Sequence, residues 1–316
     1  MVNWIACQHT VEKLRPFVGF AYPLLKKVAP TKLKVISQPS TASFLMNNRC
    51  NARCGFCMVG DYFQDKYAKE LTLDKFKIIA NNIHLQTFHQ VWLSGAGEPL
   101  LNPNTIKIIR WINATYPHID ILTTTNGIAL NKERAQALAE TRLRLLSISV
   151  NAASRDVYKT VMQVDQFDQV VENTRYYQQL TKGKLKHPQL SFVAHRKNIE
   201  DLPEFAKLGI SLGVKLIVVR YARFYPSLQR QQMAQSADSL LDDSDSLFFH
   251  QELSDKCVRE AQKICQNAGI EFKHTDPLFS EPEAKVLCCS PMTEVLIGMD
   301  GEVFPCCGKK CYSKRR

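Results

Sequence analysis

Three cysteines that can share one metal centre lie close together in the first part of the chain. Cys50, Cys54 and Cys57 fall within eight residues, directly after the apolar segment Ala42–Met46. A structural zinc site needs four ligands, and the local sequence offers no fourth Cys or His. A [4Fe–4S] cluster held by three cysteines leaves one iron open to a small molecule. The spacing favours the cluster; the alternatives are a zinc site completed from a distant segment and three unrelated buried thiols.

Glycine-rich and polar segments follow the next apolar segments in the same way. Ser94–Pro99 contains Gly97, where a backbone can approach a ligand closely, and Glu98, which can accept a hydrogen bond from an ammonium group. The other polar residues in such places are Thr125, Asn126, Ser147, Ser149 and Asn151. Alternation along a strand puts the last three on one face. Buried polar groups need hydrogen-bond partners, and either a ligand or an ordinary turn would supply partners for these side chains.

Short apolar segments alternate with amphipathic ones between residues 41 and 220, which predicts alternating strands and helices. The predicted strands are Ala42–Met46, Val91–Ser94, Ile119–Thr124, Leu145–Val150, Leu190–Ala194 and Val214–Val219. Helical spacing aligns apolar residues around Phe76, Ile109 and Val170. The pattern predicts a parallel sheet covered by helices on both sides. An open doubly wound sheet and a partial barrel both fit, and both place function at the carboxyl ends of the strands.

The pattern Cys-x3-Cys-x-Phe-Cys after the first strand resembles the signature of the radical S-adenosylmethionine (radical SAM) superfamily. The resemblance covers residues 41–220 and implies an α/β fold, a partial (β/α)6 barrel of parallel strands. It implies that Cys50, Cys54 and Cys57 bind a [4Fe–4S] cluster whose open iron chelates S-adenosylmethionine (SAM). Reductive cleavage of SAM would then give a 5′-deoxyadenosyl radical that abstracts hydrogen from a peptide or small-metabolite substrate.

The same resemblance implies which side chains bind SAM. Phe56 would lie against the adenine region. Gly97 and Glu98 match a Gly-Gly-Glu-Pro stretch that binds the amino group of SAM, although Ala96 replaces its first glycine. The remaining implied contacts come from a Thr-Asn-Gly step, Thr125 and Asn126, and from a Ser-Leu-Asp-like step, Ser149 and Asn151. The latter step contacts the ribose and carboxylate, and Asn in place of Asp removes a charge.

A basic element, His195-Arg196-Lys197-Asn198, follows the fifth predicted strand and resembles a recurrent element of the superfamily. Arg196 either meets a carboxylate or lies in a solvated loop. The other histidines are scattered through the sequence, and we expect them to be structural or at the surface.

A second group of five cysteines lies near the end of the chain: Cys288, Cys289, Cys306, Cys307 and Cys311. The last four of these are the candidate metal ligands. The Asp300-Gly301 pair predicts a hairpin of Glu294–Met299 and Glu302–Phe304. The arrangement resembles the SPASM and twitch auxiliary-cluster domains, in which further cysteines follow downstream. Because this sequence stops at Arg316, we expect an incomplete domain with a single auxiliary iron–sulfur cluster. A zinc knuckle of the same four cysteines is the alternative.

These patterns divide the chain into four predicted regions. An N-terminal extension covers residues 1–40, and the radical SAM core covers 41–225. A polar loop and helical linker, with a helix over Asp255–Ala268, covers 226–285. A small, incomplete SPASM/twitch-like cysteine segment covers 286–316.

Composition and charge reduce the number of functional classes to which the protein can belong. The 316 residues are 45% hydrophobic, and no apolar run approaches the ~20 residues of a membrane span. The net charge of +11 is spread, with its densest run at the C-terminus and no basic stripe interleaved with aromatic residues, so nucleic-acid binding is not expected. We expect a cytoplasmic enzyme that uses SAM, a peptide or small-molecule substrate and an electron donor such as flavodoxin or ferredoxin. The rival hypotheses are a non-catalytic iron–sulfur or zinc scaffold on the same fold and a nucleic-acid-modifying radical enzyme.

Overall fold

A single sheet holds all the strands in the part of the chain that the computed structural model describes, residues 39–57, 68–184, 187–223, 241–281 and 293–304. The strands are β1 (Thr41–Leu45), β2 (Gln90–Ser94), β3 (Asp120–Thr125), β4 (Leu143–Ser149), β5 (His187–Ala194), β6 (Leu216–Tyr221), β7 (Glu271–His274), β8 (Glu294–Ile297) and β9 (Val303–Phe304). Their order in the sheet is β7-β6-β5-β4-β3-β2-β1-β8-β9.

Helices connect the successive strands and cover the sheet. They are α1 (Leu73–Asn82), α2 (Thr105–Thr115), α3 (Lys132–Ala139), α4 (Arg155–Met162), α5 (Phe167–Thr181), α6 (Leu202–Leu212) and α7 (Gln251–Asn267). The predicted apolar faces are the buried ones: Phe76 of α1, Ile109 of α2 and Val170 of α5 all lie in the core. Side-chain caps fix the starts of several helices, as where Ser154 accepts from the backbone N–H of Val157 at the start of α4.

The strand order decides between the two architectures that the sequence left open. Strands β1 to β7 are neighbours in sequence order, and every pair among them is parallel. A doubly wound sheet reverses its strand order at a switch point between its strand–helix units, and β1 to β7 show no such reversal. The chain returns to the other side of β1, as β8, only after β7. The prediction of a partial (β/α)6 barrel of parallel strands is therefore confirmed. All carboxyl ends of its strands lie on one edge of the sheet.

Two features extend the six predicted strands. Strand β7 pairs with β6, and the sequence analysis missed it because Glu271–His274 is short and mostly polar. The hairpin predicted around Asp300-Gly301 is present, with Leu296 opposite Phe304, and its strand β8 also pairs in parallel with β1. Salt bridges from Lys69 and Lys75 to Asp300, at 2.7 and 2.8 Å, hold the hairpin turn.

Several predictions concern residues that lie outside the described ranges. These are the N-terminal extension up to residue 38, most of the polar loop before residue 241, and the auxiliary-cluster cysteines Cys289, Cys306, Cys307 and Cys311. The helix predicted over Asp255–Ala268 is present as α7, Gln251–Asn267. No helix within the described ranges has both the length and the apolar character that a membrane span requires.

Candidate active site

The loop that carries the three cysteines leaves β1 and rests on the end of α4. The backbone N–H of Arg53 donates to the carbonyl of Met162 at 3.1 Å, and that of Gly55 donates to the carbonyl of Val161 at 3.0 Å. Carbonyls in the last turn of a helix have no partner within the helix. The cysteine loop supplies those partners, so α4 fixes the loop's position relative to the sheet.

The three thiols lie near enough to influence one another. Burial raises the pKa of Cys54 well above its ordinary value, and Cys57 and Cys50 raise it further. Desolvation also raises the pKa of Cys50, with added repulsion from Glu98 and Cys57. Binding to iron would remove these protons, because the thiolate is the metal ligand.

The described residues show no site for a single metal ion at the first cysteine group. Within the described ranges, no three Cys, His, Asp or Glu side chains converge closely enough to hold one metal ion. A [4Fe–4S] cluster needs a wider set, since each cysteine binds a different iron. The described residues therefore offer no support for the zinc alternative at the first cysteine group.

The glycine-rich segment after β2 packs against the cysteine loop at backbone distance. A Cβ atom on Gly97 would lie 2.0 Å from the carbonyl oxygen of Arg49. The backbone N–H of Gly97 donates to the carbonyl of Asn47 at 3.2 Å, and that of Glu98 donates to the carbonyl of Arg49 at 2.7 Å. Only glycine fits between these two segments, so the sequence feature that resembled a SAM-binding stretch also has a structural cause.

The carboxylate of Glu98 joins the ends of β2 and β3. It is 2% exposed, and it accepts hydrogen bonds from the backbone N–H of Leu100 at 2.9 Å, the hydroxyl of Thr125 at 2.8 Å and the backbone N–H of Asn126 at 2.7 Å. Burial raises its pKa, and these donors oppose that rise. The sequence analysis expected Glu98 to accept from a ligand; the structure places its carboxylate on three donors of the chain itself.

Asn126 connects β3 to the cysteine loop. Its side-chain amide donates to the Sγ of Cys50 at 3.7 Å and to the Oδ1 of Asn51 at 2.8 Å. Thr125 and Asn126, both predicted site residues, therefore lie at the same edge as the cysteines. Hydrogen bonds to cysteine sulfur are one way in which proteins set the potential of an iron–sulfur cluster.

Asn151 departs from the predicted alternation on β4. The strand ends at Ser149, and Asn151 takes a left-handed backbone with φ of 63°. Its Oδ1 accepts from the backbone N–H of Val193 at 2.8 Å, and its Nδ2 lies 3.3 Å from the Sδ of Met162. The side chain is buried and links β5 to α4, whereas Ser149 stays on the strand opposite Ser191.

Two buried polar atoms at this edge have no hydrogen-bond partner in the described part of the chain: Asn47 Oδ1 and His195 Nε2. Asn47 follows β1 and donates its Nδ2 to the carbonyl of Glu98 at 2.8 Å. An unsatisfied buried acceptor costs about 1–3 kcal/mol, so it suits a ligand that carries donors, such as the ammonium group of SAM. The sequence analysis missed Asn47, because an isolated Asn after a strand carries no pattern.

Two other residues that were singled out in the sequence are Phe56 and Arg196. Phe56 is half-buried, and its ring lies 5.8 Å from that of His195 between centroids. Arg196 forms an exposed ion pair with Glu200 at 2.6 Å, which favours the solvated-loop alternative for this residue.

Comparisons with known proteins agree with this geometry. Residues 44–209, more than half of the chain, match the Radical SAM superfamily. The probable GTP 3′,8-cyclase of Saccharolobus solfataricus is 31% identical over 172 residues, which are 54% of this chain and 53% of that protein. The GTP 3′,8-cyclase of Limosilactobacillus fermentum is 26% identical over 279 residues, 86% of this chain and 73% of that protein. The chain thus spans about half the length of the first of these relatives.

Solved structures give the same fold. Streptococcus suis SuiB bound to S-adenosylmethionine superposes with a TM-score of 0.70 at 15% identity, over 99% of this chain and 73% of that one. The protein anSMEcpe with bound AdoMet and the Cp18Cys peptide superposes with a TM-score of 0.59 at 13% identity, over 84% of this chain and 74% of that one. On the match over residues 44–209, the chain belongs to the radical SAM superfamily, with a [4Fe–4S] cluster and SAM as its cofactors.

Proposed function

We propose that this radical SAM enzyme binds its cluster through Cys50, Cys54 and Cys57 and abstracts hydrogen from a peptide or small-metabolite substrate. The observation that carries the proposal is the convergence of the cysteine loop, the Gly97 segment and the Glu98 network at one edge of the barrel. When bound, the reduced cluster supplies the electron that cleaves SAM into methionine and a 5′-deoxyadenosyl radical.

The chain's own residues would bind and orient SAM around that cluster. Asn47 Oδ1, which has no partner among the described residues, lies next to the Gly97 backbone, so it would accept a hydrogen bond from the amino group of SAM. Phe56, half-buried within the cysteine loop, would pack on the adenine. Asn126 would hold the Cys50 sulfur through its amide, and Glu98 would keep Asn126 in place through its backbone N–H.

The inner face of the sheet supports a polar substrate. On β5, Phe192 packs against Phe205 of α6, with ring centroids 4.9 Å apart, so this face of the strand points to the helices. Alternation puts Gln189 and Ser191 on the opposite face, where Gln189 donates to the hydroxyl of Ser147 at 3.0 Å. A face of amides and hydroxyls suits ligands that hydrogen-bond, and it does not suit a lipid chain.

Two substrate classes deserve the first assays. GTP represents the small metabolites, because the curated relatives named above are GTP 3′,8-cyclases. A precursor peptide represents the other class, because one SuiB structure of this fold contains the peptide SuiA. We infer an electron donor such as flavodoxin or ferredoxin, because reductive cleavage of SAM needs one electron. We infer the cytoplasm as location, because the described cysteines form no disulfide, as in a reducing compartment.

The C-terminal cysteines add a second proposal within the same enzyme. Strand β9 ends at Phe304, two residues before Cys306 in the sequence. We propose that Cys289, Cys306, Cys307 and Cys311 bind one auxiliary iron–sulfur cluster. Iron content of the holoenzyme tests this: about eight iron atoms per chain support two [4Fe–4S] clusters, whereas about four iron atoms or bound zinc would contradict it.

The experiment that tests the function measures 5′-deoxyadenosine. The anaerobically reconstituted, dithionite-reduced protein is given SAM with GTP, with a peptide pool, or alone. We expect release of 5′-deoxyadenosine that Cys57→Ala abolishes, and a substrate that increases it. No release in any of these reactions, in protein with a full iron load, would favour the non-catalytic scaffold.

A further inference from the structure

His195 lies at the carboxyl end of the sheet, directly after β5, and faces the cysteine loop. Its side chain is 1% exposed, and its ring packs against Phe56 at 5.8 Å between centroids, with the ring planes tilted by 39°. Phe56 stands between Cys54 and Cys57 in the sequence. The imidazole therefore lies beside the loop on which the proposed function places the cluster and SAM.

The hydrogen bonds around His195 fix which nitrogen carries the proton. The Nδ1 atom accepts from the backbone N–H of Lys197 at 3.2 Å, so in the neutral ring the proton is on Nε2. Burial lowers the pKa of His195 to about 4, and the ring is neutral near pH 7. Asp245 opposes this shift and Lys197 adds to it. The Nε2–H group is thus a donor.

That donor has no acceptor within the described ranges, although its surroundings are rigid. Asn198 holds the backbone at this position: its Oδ1 accepts from the N–H of His195 at 2.9 Å, and its Nδ2 donates to the carbonyls of Val193 and Asn151, both at 3.0 Å. Leaving a buried donor unpaired is unfavourable. A side chain held in this way, next to an aromatic ring, is organised to meet a flat ligand that has acceptor atoms at its edge.

We propose that the Nε2–H of His195 donates a hydrogen bond to an acceptor on the adenosyl group of SAM, while Phe56 packs on its face. This inference rests on the proposed function, because it assumes that SAM binds beside the cysteine loop. His195 acts in it as a binding and orienting residue. Its donor selects the adenosyl group and makes no contact with the methionine part.

The test measures SAM affinity rather than turnover. Equilibrium dialysis with the reconstituted holoenzyme gives the Kd of SAM and of S-adenosylhomocysteine, and methionine is measured as a competitor. His195→Phe keeps an aromatic ring and removes the donor. We expect it to weaken both adenosyl ligands by about tenfold and to leave methionine unchanged. His195→Gln, whose amide nitrogen reaches a similar position, restores the affinity to within about threefold.

His274→Phe is the matched control. His274 ends β7, has an unpaired Nε2 of its own in the described residues, and packs on Tyr221 at 4.7 Å between centroids. We expect this variant to bind SAM like the wild type. Unchanged SAM affinity in His195→Phe would overturn the inference, as would a loss that Gln fails to restore or that methionine shares. Failure of the wild type to bind SAM would instead contradict the proposed function.

Discussion

Replacing Gly97 by alanine tests how closely the glycine-rich segment packs against the cysteine loop. The added Cβ would lie 2.0 Å from the carbonyl oxygen of Arg49, and also 2.6 Å and 2.7 Å from its carbonyl carbon and its nitrogen. Real Cβ atoms essentially never come within 3.0 Å of such atoms. All three neighbours are backbone atoms, so no side-chain rotation relieves the overlap, and one segment must move by about 1 Å.

The cost follows from what that movement breaks. Two backbone hydrogen bonds join the segments, from Gly97 to Asn47 and from Glu98 to Arg49. Losing both costs about 2 kcal/mol, and the strain of overpacking adds about 1–3 kcal/mol. We expect Gly97→Ala to lower the free energy of unfolding by about 3–5 kcal/mol. Displacement of the cysteine loop should also reduce the iron bound on reconstitution.

Guanidinium unfolding of the apo protein measures the change, with Gly269→Ala as control. Gly269 has a φ of +67° and no atom within 4 Å of an added Cβ, so its replacement meets backbone strain without overlap. That strain costs about 1–2 kcal/mol. If Gly97→Ala loses no more stability than Gly269→Ala and binds the wild-type amount of iron, the glycine-rich segment does not pack against the cysteine loop in this way.

Three further predictions concern buried polar groups. Glu98→Gln places an amide N–H opposite either the hydroxyl of Thr125 or the backbone N–H of Asn126, so chemical denaturation should show a loss of about 1–3 kcal/mol in the free energy of unfolding. An unchanged midpoint would contradict the network. The hydroxyl of Tyr158 is buried without a hydrogen-bond partner among the described residues. Tyr158→Phe should therefore stabilise the apo protein by about 1 kcal/mol in the same assay. A lower free energy of unfolding in this variant would show that the hydroxyl has a partner. Burial in the folded protein lowers the pKa of His195 to about 4, so the unfolded chain binds a proton at a higher pH than the folded chain does. The free energy of unfolding should therefore fall by about 3 kcal/mol as the pH drops from about 6.5 to about 4. His195→Phe should flatten this part of the stability–pH curve, and an equally steep curve in the variant would contradict the assignment.

Much of the barrel could be predicted from sequence because its strands are buried on both faces. Mostly apolar segments such as Ala42–Met46, which is buried throughout, have few other interpretations, and the helices between the strands show a clear apolar face. Strand β7 was missed because Glu271–His274 lies at the edge of the parallel strands, where a polar sequence is tolerated. The Asp300-Gly301 turn could be predicted from the sequence. The pairing of β8 with β1 could not, because it joins residues about 250 positions apart and no local pattern encodes it.

The candidate site was predictable in its residue types and less so in its contacts. The cysteine spacing and Gly97 identify the edge of the sheet, because both constrain the local backbone directly. The hydrogen bonds of Glu98 and Asn151 to other strands exist only after the sheet has formed. That Asn47 Oδ1 and His195 Nε2 have no partner within the described ranges is likewise a property of the packed core, since a residue type alone does not reveal whether its partner is present.

In the proposed function, Cys50, Cys54 and Cys57 hold a cluster with one iron open to SAM. Electron paramagnetic resonance of the reconstituted, dithionite-reduced protein tests it most directly, with Cys57→Ala as control. We expect a reduced [4Fe–4S] signal whose line shape changes when SAM is added, and loss of this SAM-sensitive signal in the variant. A spectrum in which no part responds to SAM, or a SAM-sensitive signal that survives in Cys57→Ala, would contradict the assignment.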